Sequence, residues 1–305
     1  MTRVGIVILS WNGGAQTLAC IESALAQTHR DRFILVVDNA SAASERQTLQ
    51  AHYPDGAGVE FCWLEENRGY AGGNNVGIAA TLARGADLVL ILTQDAALAP
   101  DALRIMVDTA AADPRIGIVG PQVVDAHDRA RVLSIGERVH VGLLCVPRTL
   151  LRYRRGTPPW YDVSGVLGCA FVLTRRCVED AGCFDESLFA YYEEVDLCLR
   201  VRRQGFRIVC NPQAVVSHDG MRGFLAGFTP LSAALKARNL LQLMRRWGRP
   251  LDWLVLLPTY AMLLAGSLML YAARGRLDIV GALLRGTVAG MRGRSGPLPT
   301  ALRAS

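Results

Sequence analysis

The stretch Ile34-Leu35-Val36-Val37-Asp38-Asn39 is an unbroken apolar run that ends abruptly in a carboxylate and an amide. Short, β-branched and bounded by polar residues, it reads as a strand buried on both faces. The same form recurs around it. Val4–Leu9 ends in Ser10-Trp11-Asn12, Val59–Leu64 leads into Asn67–Gly77, and Leu88–Leu92 ends in Thr93-Gln94-Asp95; Ile116–Val119 is a further run. Between the runs lie longer stretches of helical character, Gln16–Gln27, Ala71–Ala83 and Pro100–Ala112. Strands alternating with helices predict an α/β fold with a parallel sheet covered on both faces. In such sheets ligands bind beyond the carboxyl ends of the strands, so the residues that close each run are the candidate site.

Further along, residues 121–165 are less regular and carry a Pro158-Pro159 break, which predicts strands and a long loop. Order resumes with a strand at Ala170–Leu173, a helix from Glu194 to Gln204, and strands near Phe206–Val209 and Ala214–Val216. Residues 229–291 read as helices.

Composition bounds the function. With 51% hydrophobic and 20% charged residues in 305, the chain can bury a large core, which excludes a disordered one. The net charge of +6 is unevenly spread: residues from Met221 on hold 12 Lys/Arg and 2 Asp/Glu, and residues 1–220 hold 21 and 25. A mildly acidic body thus carries a basic tail, and Trp253–Ala273 within that tail is uncharged over 21 residues. That length suffices for a membrane span. Arg245, Arg246 and Arg249 precede it and Arg274 and Arg276 follow it, so charge does not fix an orientation. A full span, a shallow membrane helix and a buried soluble helix all remain open; Leu277–Met291 has an interfacial character. A basic, apolar tail fits a phospholipid surface, at residues 250–291, better than it fits nucleic acid. At the other end Val4–Leu9 is too short for an export signal. The eight cysteines include no CxxC pair or zinc-like spacing and read as buried thiols of a reducing compartment.

Several strand-end groups carry chemistry. Asp38 either accepts hydrogen bonds from a nucleobase or ribose, or caps a turn. Asn67-Arg68-Gly69-Tyr70-Ala71-Gly72-Gly73-Asn74-Asn75-Val76-Gly77 is a glycine-rich helix entry, suited either to a diphosphate or to close packing. Asp95 is a natural ligand for Mg²⁺ or Mn²⁺, and an imidazole partner such as His218 favours Mn²⁺. Glu193 and Glu194 open a helix, where acidic residues complement the dipole or, aimed into the crevice, act as a general base.

Taken in order, these pieces resemble the family 2 glycosyltransferases of the inverting GT-A fold, particularly bacterial rhamnosyltransferase-like members. The pieces are Val7–Asn12, Val36–Ser41, Asn67–Gly77, Thr93-Gln94-Asp95, Gly182–Glu186, Tyr192–Asp196 and His218, and the likeness spans residues 3–250. The resemblance implies a Rossmann-like, mostly parallel sheet. It divides the chain into a catalytic domain (1–225, with a nucleotide-sugar half 1–120 and an acceptor half 121–225) and a helical, membrane-associated region (226–305). It implies transfer of a hexose, such as rhamnose, from a nucleotide-diphospho-sugar to a lipid-linked or polysaccharide hydroxyl in cell-envelope synthesis, at the cytoplasmic face of the membrane. By matching position, Glu194 is the base, with Glu193 as runner-up. Ser10, Asn12, Asp38, Arg68, Asn75, Gln94 and Asp95 face the donor nucleotide, and Asp95 and His218 hold Mn²⁺ or Mg²⁺. Two positions depart from the pattern: Thr93 stands where an acid is usual in the metal motif, and the base position holds Glu where Asp is commoner. The rivals are a nucleotidyltransferase, although the loop Trp11-Asn12-Gly13-Gly14 lacks a basic residue, and a non-catalytic relative, for which Thr93 speaks.

Overall fold

Every residue of Val4–Ser10 (β1) is buried, as its unbroken apolar run requires. The computed structural model describes residues 2–54, 58–140, 147–150, 159–219 and 228–297. Part of the expected long loop, Pro158 included, lies outside them. After β1 the chain runs through α1 (Gly14–Leu25), β2 (Arg32–Asp38), α2 (Ala43–His52), β3 (Val59–Trp63), α3 (Gly69–Ala83), β4 (Leu88–Thr93), β5 (Ala96–Leu98) and α4 (Ala102–Ala111). Next come β6 (Ile116–Asp125), β7 (Val132–Ser134), β8 (Glu137–Val139), β9 (Pro147–Thr149), β10 (Tyr161–Val163), β11 (Ala170–Thr174), α5 (Arg175–Ala181), α6 (Glu193–Arg203) and β12 (Arg207–His218). Three helices close the chain: α7 (Pro230–Trp247), α8 (Asp252–Ala273) and α9 (Leu277–Met291).

The main sheet has the order β10-β12-β6-β11-β4-β1-β2-β3. β1, β2, β3 and β4 are mutually parallel, and β11 is antiparallel to both β4 and β6. Register then sets the functional edge: Ser10 lies opposite Asp38, Asp38 opposite Trp63, and Leu9 opposite Thr93. The chain order reverses between β1 and β4, and in open α/β sheets such a reversal is where a crevice forms at the carboxyl ends. Ile21 of α1, Leu49 of α2 and Met106 of α4 pack with Ile6 and Ile8 on one face. Ile78 of α3, Cys177 of α5 and Leu197 of α6 pack on the other with Val7 and Val37.

Two local features were not legible beforehand. The polar segment that forms α2 buries Leu49 alone and has no apolar stripe to announce it. The two strands expected at Phe206–Val209 and Ala214–Val216 are one strand, β12, with a register shift between Asn211 and Val215. Pro212 in that gap cannot donate to the ladder, and a bulge absorbs it.

The C-terminal helices are not alike. α7 starts with a reciprocal Thr229–Ser232 capping box and Pro230, and it buries Leu235, Arg238, Asn239 and Leu243. α9 lies so close to α7 that a Cβ on Gly286 would sit 2.2 Å from the Ala234 carbonyl oxygen. α8, about 33 Å long at 1.5 Å per residue, buries only Leu256 and Tyr271. Leu254, Leu257, Met262, Leu263 and Met269 are exposed along it. Among the described residues it is the one helix long and apolar enough to cross a membrane. The body and the 226–305 region therefore share a core through α7, while α8 projects apolar surface.

Packing at Gly286 makes a direct test. Gly286→Val drives side-chain atoms into the α7 backbone and is expected to destabilise the chain by about 1–3 kcal/mol. Gly266, with nothing within 4 Å of an added Cβ, should accept Ala at no cost. Thermal unfolding of both variants checks the contact; equal melting temperatures would rule out the α7–α9 packing.

Candidate active site

The carboxyl end of β2 delivers Asp38, fully buried. Its Oδ1 accepts from Arg46 Nε at 2.7 Å and from the Ser41 backbone N–H at 3.1 Å. Its Oδ2 is buried and has no partner among the described residues. An unmatched buried carboxylate oxygen is costly, and a ligand N–H at this strand end would satisfy it. Arg46, which sequence reasoning missed because α2 was missed, also lies over the Trp63 ring at 5.7 Å.

The loop after β1 is tied down by side chains named from the sequence. Ser10 Oγ shares a hydrogen bond with Thr17 Oγ1 at 3.0 Å. The Asn12 N–H donates to Ser41 Oγ, and Asn12 Oδ1 accepts from the Ala42 N–H, both at 2.9 Å. Gln94 grips the Trp11 peptide from both sides, accepting its N–H at 2.6 Å and donating to its carbonyl at 3.2 Å. That grip leaves the Trp11 indole 45% exposed at the strand end. Ser10, Asn12 and Gln94 thus spend the side-chain atoms named here on shaping the rim, and Trp11 presents the ring.

Arg68 and Asn75 flank the entry to α3. Asn39 accepts from the Arg68 N–H at 2.9 Å and donates to Asn67 Oδ1 and the Gly69 carbonyl at 3.1 Å. Arg68 pairs with Glu186 at 3.1 Å. Asn75 donates to the Phe184 carbonyl and accepts from the Phe184 N–H, and it also donates to Glu186 Oε1 at 3.0 Å. Glu186, which the sequence reading placed in a matching piece without giving it a role, is therefore where both side chains meet. Gly69 has φ +72°, and a Cβ there would lie 2.3 Å from the Phe189 carbonyl oxygen. Only glycine meets both conditions.

Asp95 and His218 are brought together from β4 and β12, with Oδ2 and Nε2 3.3 Å apart. Burial raises the Asp95 carboxyl, but the hydrogen bonds from His218 and Thr93 outweigh it and hold the group below the usual carboxylate range. Thr93 thus supports Asp95 with a hydroxyl where an acid is usual. The His218 Nδ1 is buried without a partner among the described residues. Among those residues no group of three or more His, Cys, Asp or Glu is arranged for a metal. One carboxylate and one imidazole do fit a Mn²⁺ or Mg²⁺ ion that takes its other ligands from phosphate and water.

Glu193 and Glu194 follow a turn in which Phe189, Tyr191 and Tyr192 all have φ between +65° and +71°. For residues of this size each such conformation costs of order 1–3 kcal/mol. Glu193 is 5% exposed, its Oε2 unpartnered among the described residues, while Glu194 is half-buried beside Gly168. The Tyr70 hydroxyl donates to the Gly168 carbonyl. Burial, then the charge of Glu194, pushes the Glu193 carboxyl well up; burial also raises Glu194, against the charge of Lys236. Glu137 of β8, a third carboxyl the sequence did not flag, is pushed up to about 8 by burial and then by Glu194. Lys236 of α7 lies 4.7 Å from the Tyr191 ring centroid and 4.8 Å from that of Phe228.

Glu137 has a consequence for stability. In the folded chain it keeps its proton to a higher pH than its ordinary value of 4.5. Folding stability therefore falls as pH rises from that value, and the loss is complete above about 8. Glu137→Gln is expected to flatten the decline of melting temperature between about pH 5 and pH 8. An unchanged slope would show that Glu137 titrates normally.

Comparison with known proteins identifies the family and the fold. Residues 2–249 match the family described as glycosyltransferase like family 2. An N-acetylglucosaminyl-diphospho-decaprenol L-rhamnosyltransferase of Mycobacterium tuberculosis is 27% identical over 274 residues, covering 81% of this chain and 87% of that protein. The dTDP-rhamnosyl transferase RfbF of Shigella flexneri is 23% identical over 302 residues, 97% of each chain. Among solved structures, the mannosyltransferase PcManGT of Pyrobaculum calidifontis, in complex with GDP-Man and Mn²⁺, has a TM-score of 0.59 at 19% identity, covering 96% of this chain and 88% of that one. GalNAc-T7 with UDP, GalNAc and Mn²⁺ has a TM-score of 0.66 at 16% identity, covering 81% and 48%. These two establish the GT-A-like sheet. With its whole strand-end constellation inside the matched span, the chain belongs to glycosyltransferase family 2.

Proposed function

We propose that this glycosyltransferase is an inverting enzyme that moves a deoxyhexose such as rhamnose from a nucleoside-diphosphate donor to a hydroxyl of a lipid-linked acceptor. One set of observations supports the reading: Asp38, with its unpartnered oxygen, ends β2, the Asp95–His218 pair follows β4 on the other side of β1, and the Tyr70 hydroxyl feels the charges of both Asp95 and Glu194. The names of the Mycobacterium and Shigella relatives support the sugar and the acceptor class.

In this reading Asp38 Oδ2 accepts from the nucleobase or ribose, and the exposed Trp11 ring offers a stacking surface. Asp95 and His218 would hold a divalent ion, which would supply positive charge at the diphosphate. Arg68, released from Glu186, and the N-terminus of α3 add to that charge. Glu194 is the base because it is the more open of the two glutamates. Its carboxylate takes the acceptor's proton as the hydroxyl attacks the anomeric carbon, opposite the departing diphosphate. The bond to the diphosphate breaks and the configuration inverts. The leaving charge is met by preorganised positive groups, the usual large contribution in such sites. The exposed apolar side chains of α8, with Arg249 and Arg274 at its two ends, seat on the cytoplasmic leaflet and bring the crevice to its acceptor.

Glu194→Gln should lower kcat by about 10²–10⁴-fold with donor affinity little changed; the large loss appearing in Glu193→Gln instead would move the base by one residue. Because Glu194 acts unprotonated and its carboxyl is raised, kcat of the parent enzyme should climb with pH through a range above the ordinary carboxylate value. Transfer should stop in excess EDTA and return with Mn²⁺ or Mg²⁺. Full activity under chelation would remove the metal from the scheme. Flotation with anionic liposomes tests the membrane role of α8.

A further inference from the structure

The strained turn before α6 is held from outside by two adjacent side chains of α7. Asn239, fully buried, donates its amide to the carbonyls of Leu188 and Ala190 at 2.9 Å and of Tyr191 at 2.8 Å. Its Oδ1 accepts from Arg238 Nε at 2.8 Å. Arg238, 1% exposed, donates to the Leu188 carbonyl at 3.0 Å and to the Gly296 carbonyl beyond α9. No ion pair of Arg238 is found among the described residues, and burial pushes its guanidinium down to about 10. A guanidinium buried against carbonyls alone is an expensive way to fill a core, and leucine would fill it at less cost.

The carbonyls that Asn239 meets belong to the turn that holds the left-handed residues, and that of Leu188 also accepts from the Ala190 N–H at 2.8 Å. The same turn reaches the donor side, since the Phe189 carbonyl accepts from the Ala71 N–H of α3 at 3.1 Å. Three elements thus converge on residues 188–192: the donor-side helix, the helix that starts with the glutamates, and α7.

We propose that Arg238 and Asn239 are positioning residues that hold this turn so that Glu194 emerges beside Gly168. The inference rests on the assignment of Glu194 as the base. With the clamp in place, Glu194 faces Glu193 on its own helix, Glu137 of β8, Tyr70 of α3, Cys198 of α6 and Lys236 of α7. Without it, Tyr191 and Tyr192 relax toward ordinary backbone, the start of α6 frays, and water reaches Glu194.

Asn239→Leu in the full-length enzyme preserves approximate volume and removes all three donations. It is assayed with dTDP-rhamnose and a short-chain N-acetylglucosaminyl-diphospho-lipid. Per folded molecule, kcat is expected to fall at least about tenfold, donor affinity to change by less than about threefold, and the acid limb of the kcat profile to move to lower pH. Asn239→Gln, which keeps the amide, should recover part of the rate. Arg238→Lys, which keeps the cation with fewer donors, should move the same limb and serves where Asn239→Leu does not fold. A kcat that drops only with the folded fraction, on an unmoved pH profile, overturns the proposal and leaves the pair a purely structural role. Glu194→Gln, run in parallel, separates the two readings: full activity there overturns the base assignment, whereas its inactivity beside an unmoved Asn239→Leu profile overturns the clamp alone.

Discussion

Ser10 meets Asp38, and Leu9 meets Thr93, because β1 hydrogen-bonds in parallel register to β2 on one side and β4 on the other. Parallel pairing makes all these strands end at the same edge. Burial on both faces locks the register, since a one-residue slip would send every side chain to the opposite face. Helices α1 and α3 must then cross back over opposite faces, and the chain can change direction only where β1 and β4 part. The crevice, the glycine-rich entry to α3 and the Asp95 end of β4 all follow from that pairing.

Within the crevice the two sides differ electrostatically. On the side of the parallel strand ends, charges are paired: Asp38 with Arg46, Arg68 with Glu186, Asp95 with His218. On the α6 side, burial raises the carboxyls of Glu137, Glu193 and Glu194. Low dielectric and like charge both favour the protonated acid. Lys236, between Tyr191 and Phe228, offsets part of that repulsion.

The C-terminal helices are fastened to α6. Asp196 is fully buried and accepts from Arg200 at 2.9 Å, Arg246 at 2.8 Å and the Trp247 indole at 2.9 Å. Arg246 also reaches Asp185 at 2.5 Å. The end of α7 is thus bolted to the helix that carries Glu194, one short loop before α8 exposes its apolar side chains. Glu194 on α6 and the exposed apolar side chains of α8 are thus tied to one another through α7.

The strand–helix alternation, the residues at the strand ends and the long apolar segment were legible in the sequence because each is a local property: an unbroken apolar run, a carboxylate that ends it, a length without charge. The family resemblance added roles to those positions, and the family match and sheet topology agree with it. What the sequence left undecided are properties of pairs. Arg46 on Asp38, Glu137 against Glu194, and Arg238 with Asn239 beneath the 188–191 carbonyls are contacts between distant segments, and no periodicity marks them. The polar helix α2 and the bulged β12 escaped for the same reason, since neighbours rather than local pattern stabilise them. Nor could composition tell α7 and α9, which bury one another through Ala234 and Gly286, from α8, whose apolar side chains stay exposed. Hydrophobicity fixed which segments leave water, and only tertiary packing decided which of them meet protein.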